Sequence, residues 1–172
     1  NENVILWGAI IAGHAQYGDW RLTHQCLEDM AKERIDVNST IYTSILSACR
    51  HAGEVEEAYK SLKSMSVNHS ICPELEHFIC MIDLLGSTGQ LKEASHLLQS
   101  VPTMLTTITG WTSLLTACRT YGNVNLGREC LGHVSMLDLN GPNFSIGSNI
   151  YSDTYMCKDL SPVQEDKVSS SH

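Results

Sequence analysis

The chain has 172 residues, 42% of them hydrophobic, and a formal net charge of −8. That is enough apolar material for one globular domain or for several small stacked units. The acidic balance argues against indiscriminate polyanion binding, which needs a basic surface. The longest nearly apolar run, residues 4–13, is ten residues long. This is half of the ~20 needed to cross a bilayer, so no membrane partner is expected. The chain opens "NENVILW", without an initiator Met and already inside a repeated pattern. It reads as a fragment, and its lack of a targeting segment says nothing about location.

The first element is written in "WGAIIAGHAQYG", Trp7 to Gly18, and the same phrase returns as "YTSILSACRHAG", Tyr42 to Gly53. Its template is an aromatic residue, two aliphatics at +3 and +4, and Gly at +11. Two more copies fit, Phe78/Met81/Ile82/Gly89 and Trp111/Leu114/Leu115/Gly122, so the aromatics lie 35, 36 and 33 residues apart. Spacing of +3 and +4 keeps three large side chains on one face of a helix. The glycine ends that helix, because it enters the left-handed region without steric cost. A second helix follows in each copy. Five residues after the Gly stand Thr23, Ala58, Ala94 and Gly127, and nine after it Leu27, Leu62, Leu98 and Leu131. Twelve after it come Met30, Met65, Val101 and Val134. Three of the four +5 residues lack bulk and let the paired helices approach closely. A hairpin of about 35 residues cannot bury its own apolar face, so the copies must stack.

Units are placed at 4–38, 39–74, 75–107 and 108–140. Segment 141–158 starts a fifth, degenerate or truncated unit, with Gly147 and Ser148 where aliphatics should stand. The tail 159–172 is polar and Ser-rich and is expected to be disordered. Seven cysteines form no C-x-x-C pair and no Cys/His quartet at zinc spacing. They are expected to be small buried residues in a reducing compartment, with no metal and no cofactor.

These phrases resemble the pentatricopeptide repeat (PPR) family rather than tetratricopeptide repeats, whose W-x2-L-G-x2-Y pattern is missing. The alternating lengths are similar to those of the plant subclass that mixes standard, long and short motifs. Within it, "TSILSACRHAGEVEEAYKSLKSM" resembles the long motif near the C-terminal end and "EHFICMIDLLGSTGQLKEASHLLQSVP" the short motif after it. "GWTSLLTACRTYGNVNLG" resembles the first C-terminal extension motif, and "SNIYSDTYMC" the start of the second. The resemblance implies an all-α fold, a right-handed α-solenoid of helix-turn-helix hairpins. It also implies binding of single-stranded RNA, one base per unit, by the residue after the aromatic slot and the last residue of the unit.

Carried over by position, those pairs are Gly8 with Asn38, Thr43 with Glu74, and Ile79 with Thr107. They are poor readers: Gly8 has no side chain, Glu74 is longer than the usual Asp, and Ile79 cannot hydrogen-bond. Asn38 is equally readable as a turn residue between hairpins, and Thr43 as an exposed polar helix residue. Arg50 and Arg119, both eight after an aromatic, are either phosphate contacts or solvated helix-end residues. Residues 1–140 hold 15 acidic and 9 basic side chains, so the fragment alone is expected to bind RNA feebly.

Members of the subclass act as specificity factors for C-to-U editing in mitochondria or plastids, with editing-complex proteins as further partners. Some carry a zinc deaminase, which needs H-x-E and C-x-x-C. Neither occurs here: His51, His77 and His96 are followed by Ala-Gly, Phe-Ile and Leu-Leu. The chain is not expected to be an enzyme. The alternative function is a protein–protein interaction module without RNA contact.

Overall fold

The computed structural model describes residues 2–101 and 108–138. They form eight helices and no strand. In chain order these are α1 (Glu2–Gln16), α2 (Trp20–Lys32), α3 (Ser39–Ala52), α4 (Val55–Asn68), α5 (Leu75–Ser87), α6 (Leu91–Ser100), α7 (Ile108–Thr120) and α8 (Val124–Asp138). They pair as four antiparallel hairpins. The expected fifth unit at 141–158, the tail at 159–172 and Thr107 lie outside the described residues.

All four hairpins turn in the same way. Gly18, Gly53, Gly89 and Gly122 have φ of 69°, 75°, 78° and 66°. Each glycine N–H bonds back to the carbonyl three residues earlier. The next N–H reaches the carbonyl five residues earlier: Asp19 to His14 at 3.1 Å, Glu54 to Cys49 at 2.9 Å, Gln90 to Leu85 at 2.8 Å and Asn123 to Cys118 at 2.9 Å. These two bonds satisfy carbonyls that the end of a helix otherwise leaves unpaired. The residue after each glycine then begins the second helix. Its carbonyl accepts from the N–H of the small +5 residue, as Glu54 does from Ala58 at 3.1 Å. Asp19 and Asn123 add side-chain caps, to the N–H groups of Leu22 (3.2 Å) and Leu126 (3.3 Å).

The hairpins share cores rather than owning them. Ile11, Cys26 and Met30 of the first pack with Ile41, Tyr42, Ile45 and Met65 of the second. Leu46, Cys49 and Ala58 of the second pack with Met81 and Leu84 of the third. Ile82, Leu85, Leu91, Ala94 and Leu98 of the third pack with Trp111, Leu114, Leu115, Cys130 and Leu131 of the fourth. Leu62 borders the first two clusters, and Val55 and Leu97 border the last two, so the core runs without a break. The first helices α1, α3, α5 and α7 pack directly on one another along the row. The second helices lean on their own partner and on the next unit's first helix. Of the described cysteines, Cys26, Cys49, Cys118 and Cys130 are buried, Cys80 is half-buried and Cys72 is exposed. Burial pushes the Cys49 thiol up to about 12, with Glu57 and Glu54 adding to the effect.

One core expectation fails. Ile10 is 47% exposed, whereas Ile45, Met81 and Leu114 at the same register are fully buried. In the other units the preceding hairpin covers that side, as Leu98 and Ile82 crowd Gly110. Among the described residues nothing packs on that side of α1, and Leu6 is exposed as well. The small +5 position behaves as read: Thr23, Ala58 and Ala94 are fully buried. A Cβ on Gly127 would sit 3.6 Å from that of Cys118 on the paired helix.

The turns set a measurable order. A Cβ on Gly53 meets nothing nearer than 3.9 Å, so Gly53→Ala costs only backbone strain, about 1–2 kcal/mol. A Cβ on Gly89 comes within 3.0 Å of the Tyr121 ring, whose hydroxyl donates to the Ser87 carbonyl at 2.6 Å. Moving that ring breaks the bond, so Gly89→Ala should cost about 1 kcal/mol more. Urea unfolding of the two variants checks the order.

Candidate nucleic-acid interface

The first helices form one layer, and their side away from the second helices carries small polar side chains on α3 and α7, whereas α1 has Ile5, Gly8, Ala9 and Ala12 at that register. On α3 they are Thr40, Thr43, Ser44 and Ser47, and on α7 Thr109, Thr112, Ser113 and Thr116. On α5 the same register gives Glu76, Ile79, Cys80 and Asp83. Glu2, Glu76, Asp83, Arg50 and Arg119 are the only Asp, Glu, Lys or Arg on the four first helices. The excess acid of the chain therefore lies elsewhere, chiefly in the turns and linkers at Asp19, Glu33, Asp36, Glu54 and Glu74. The face is hydroxyl-rich on α3 and α7 and carries few charges, suited to hydrogen bonding and not to attracting a polyanion at a distance.

At the N-terminal ends of the first helices stand the residues expected to read bases. Asn38 is the N-cap of α3, and its Oδ1 accepts the Ile41 N–H at 3.0 Å. It caps α3 from the linker between two hairpins, and its exposed side chain keeps the amide NH2 and a second lone pair of Oδ1 for a ligand. Glu74 is the N-cap of α5, with its exposed carboxylate at the positive end of that helix. The last residue of one unit is thus the cap of the next unit's first helix. Gly8 is half-exposed with open space around its Cα, and Ile79 is half-buried.

Thr43 is less free than expected. Its hydroxyl lies 3.2 Å from the Ser39 carbonyl and 3.2 Å from Nε2 of His77 on the neighbouring first helix. The other ring nitrogen of His77, Nδ1, accepts the Glu74 N–H at 3.0 Å. The structure therefore brings Thr43 and Glu74 together through a side chain that is fully buried. Sequence reasoning set His77 aside because no metal-binding partner follows it. The available signal was its register: one residue before the aromatic, the other copies carry Leu6, Ile41 and Gly110. A polar residue at that core position demanded partners.

At the C-terminal ends of the same helices lies an open cleft of about 670 Å³ between α3, α5 and α7. Arg50, Asp83, Ser87, Thr116, Thr120 and Tyr121 line it. Arg50 is partly engaged: Nη1 is 3.8 Å from Asp83 Oδ2 and Nη2 is 3.4 Å from His51 Nε2. Its Nε is buried with no hydrogen-bond partner, so any anion in the cleft would meet the outer Nη groups. Arg119, its counterpart on α7, is exposed. Among the described residues no group of three His, Cys, Asp or Glu side chains is placed to hold a metal ion. Among the same residues no helix is long and apolar enough to cross a membrane.

Residues 40–69 match the family model of the PPR repeat. A pentatricopeptide repeat-containing protein of Arabidopsis thaliana is 34% identical over 95% of this chain and 24% of its own length. A mitochondrial one from the same plant is 34% identical over 93% of the chain and 23% of itself. A chloroplastic one is 36% identical over 88% and 18%. The chain spans about a fifth of the length of these relatives. The crystal structure of the pentatricopeptide repeat protein PPR10 from maize superposes with a TM-score of 0.72 at 15% identity, covering 90% of this chain and 22% of that one. The solenoid fold is shared, and together these findings support the PPR repeat family for this chain.

The cap at Asn38 separates two roles by experiment. Asn38→Ala removes the Ile41 bond and should lower stability by about 1 kcal/mol, whereas Asn38→Asp keeps an acceptor and should unfold within a few tenths of the parent. Urea midpoints of the two variants check this.

Proposed function

We propose, from PPR repeat architecture as the premise, that this chain binds single-stranded RNA in a sequence-dependent way along its row of first helices. One observation carries the reading. Four first helices in one layer set Gly8, Thr43, Ile79 and Thr112 at the same register, one per unit, on a face that carries few charges and is rich in hydroxyls on α3 and α7. Bases splayed from a single strand are read by such side chains through their Watson–Crick edges. In this reading the units run 4–38, 39–74, 75–107 and 108–140. The reading pairs are Gly8 with Asn38, Thr43 with Glu74, and Ile79 with Thr107, while Arg50 and Arg119 meet phosphates. Only the second pair offers hydrogen-bonding side chains at both positions, so discrimination is concentrated there.

The finer role we propose is the C-terminal part of an RNA-processing factor of the plant subclass with mixed motif lengths, specifying C-to-U editing sites. The fourth unit then serves as the first extension motif and recruits editing-complex proteins. Relatives named mitochondrial and chloroplastic support an organellar location. This chain supplies recognition and not the editing chemistry, because it has no H-x-E or C-x-x-C for a metal-bound water. A protein-docking role without RNA is the second reading, favoured by the absence of hydrogen-bonding side chains at Gly8 and Ile79.

Selection from a randomised RNA pool by the full chain, followed by fluorescence anisotropy, tests the first reading. The expected result is an enriched sequence bound more tightly than its scramble, with Thr43→Ala relaxing the choice at one base. Equal binding of scrambled RNA sinks it, and a partner protein captured equally well after RNase treatment favours the second reading. With two arginines on the face, the slope of log affinity against log salt should be shallow, about −1.4.

A further inference from the structure

We infer that His77 is a positioning residue that fixes the proton of the Thr43 hydroxyl and thereby sets what the Thr43–Glu74 pair can recognise; the inference rests on the RNA reading above. His77 is fully buried at the first turn of α5, and every polar atom of its ring is used. Nδ1 accepts the Glu74 N–H at 3.0 Å. A neutral imidazole that accepts at Nδ1 carries its proton on Nε2. Nε2 lies 3.0 Å from the Ser39 carbonyl and 3.2 Å from Thr43 Oγ1, so its N–H is shared between them.

The consequence falls on Thr43. Its own O–H donates to the Ser39 carbonyl at 3.2 Å, and one lone pair of Oγ1 faces the Nε2–H of His77. What remains toward the open face is a lone pair, an acceptor. The Glu74 carboxylate beside it is an acceptor as well. The pair therefore selects a base edge that offers N–H donors. Without His77 only the Ser39 carbonyl holds that proton, the side of Oγ1 facing α5 is no longer occupied by a donor, and the hydroxyl can also turn and donate, which loosens the selection.

Among the described residues the link occurs in this unit alone. The residue that stands where His77 does is Ile41 beside Gly8 and Gly110 beside Ile79. Where the reading position has no hydrogen-bonding side chain, its neighbour has none either. A buried imidazole at this register is costly unless satisfied, and it is satisfied by the two residues of one reading pair and the backbone between them.

The test separates the two nitrogens. His77→Asn keeps an acceptor near Nδ1 and removes the Nε2 donor, whereas His77→Gln keeps a donor near Nε2. On the RNA enriched by the wild-type chain and its four single-base variants at the Thr43 position, His77→Asn should lose about 3–10-fold in discrimination, the weight of one hydrogen bond. Its affinity averaged over the four bases should be unchanged. His77→Gln should retain most of the discrimination, and a His77→Asn/Thr43→Val double variant should lose no more than Thr43→Val alone. If His77→Asn does not fold, long-range proton–nitrogen NMR of the wild-type ring without RNA decides: a proton on Nε2 is expected, and a proton on Nδ1 overturns the inference. Wild-type discrimination in His77→Asn, or losses that multiply in the double variant, overturns the positioning role alone. No enriched RNA at all, with the ring proton on Nε2, overturns the RNA reading and removes the role with it.

Discussion

A left-handed glycine turn at the end of every first helix is the constraint on which the rest of this molecule depends. At Gly18, Gly53, Gly89 and Gly122 the chain reverses with the same two back-bonds. The reversal fixes how many residues separate the large side chains of the first helix from the small residue of the second. Because that offset is constant, Thr23, Ala58, Ala94 and Gly127 come to the same buried position in their hairpins. Hairpins built alike stack with their first helices in one row. The candidate interface is the outward side of that row.

Stacking also decides where stability and specificity sit. Each apolar cluster belongs to two hairpins, so no unit is independent of its neighbours, as expected of a linear array in which interfaces carry much of the free energy. The first unit shows the converse. Leu6 and Ile10 of α1 have the residue types and register of core positions yet lie exposed, since their partners in the other units come from the hairpin before. The packing of the first hairpin on the second buries Ile41 and Ile45, and the equivalent packing of the second on the third places His77 beside Thr43. The proposed reading pair and the packing of hairpins therefore meet at the His77 ring.

Charge follows a comparable division. The chain is acidic as a whole, yet the first helices hold only three acidic and two basic side chains, and the turns and linkers hold much of the excess. Such a face suits short-range hydrogen bonds better than long-range attraction. Arg50 fits that pattern, since Asp83 offsets its charge at the edge of the cleft.

Four glycines in phase, the +3/+4 aliphatics and the small +5 residues determined the hairpins, their number among the described residues and the buried faces. Those are consequences of local backbone sterics and helical periodicity, which short stretches of sequence contain in full. The residues of the expected reading pairs were also legible, by register. What they bond to was not. That Asn38 spends its carbonyl oxygen on the Ile41 N–H follows from where α3 starts, and that Arg50 meets Asp83 follows from how α3 packs on α5. That Thr43 is held by a histidine 34 positions away depends on two helices of different units lying side by side. Such contacts are set by the stacking of whole hairpins, and no local pattern encodes them; only the polar residue standing in a core register at position 77 hinted that one was there.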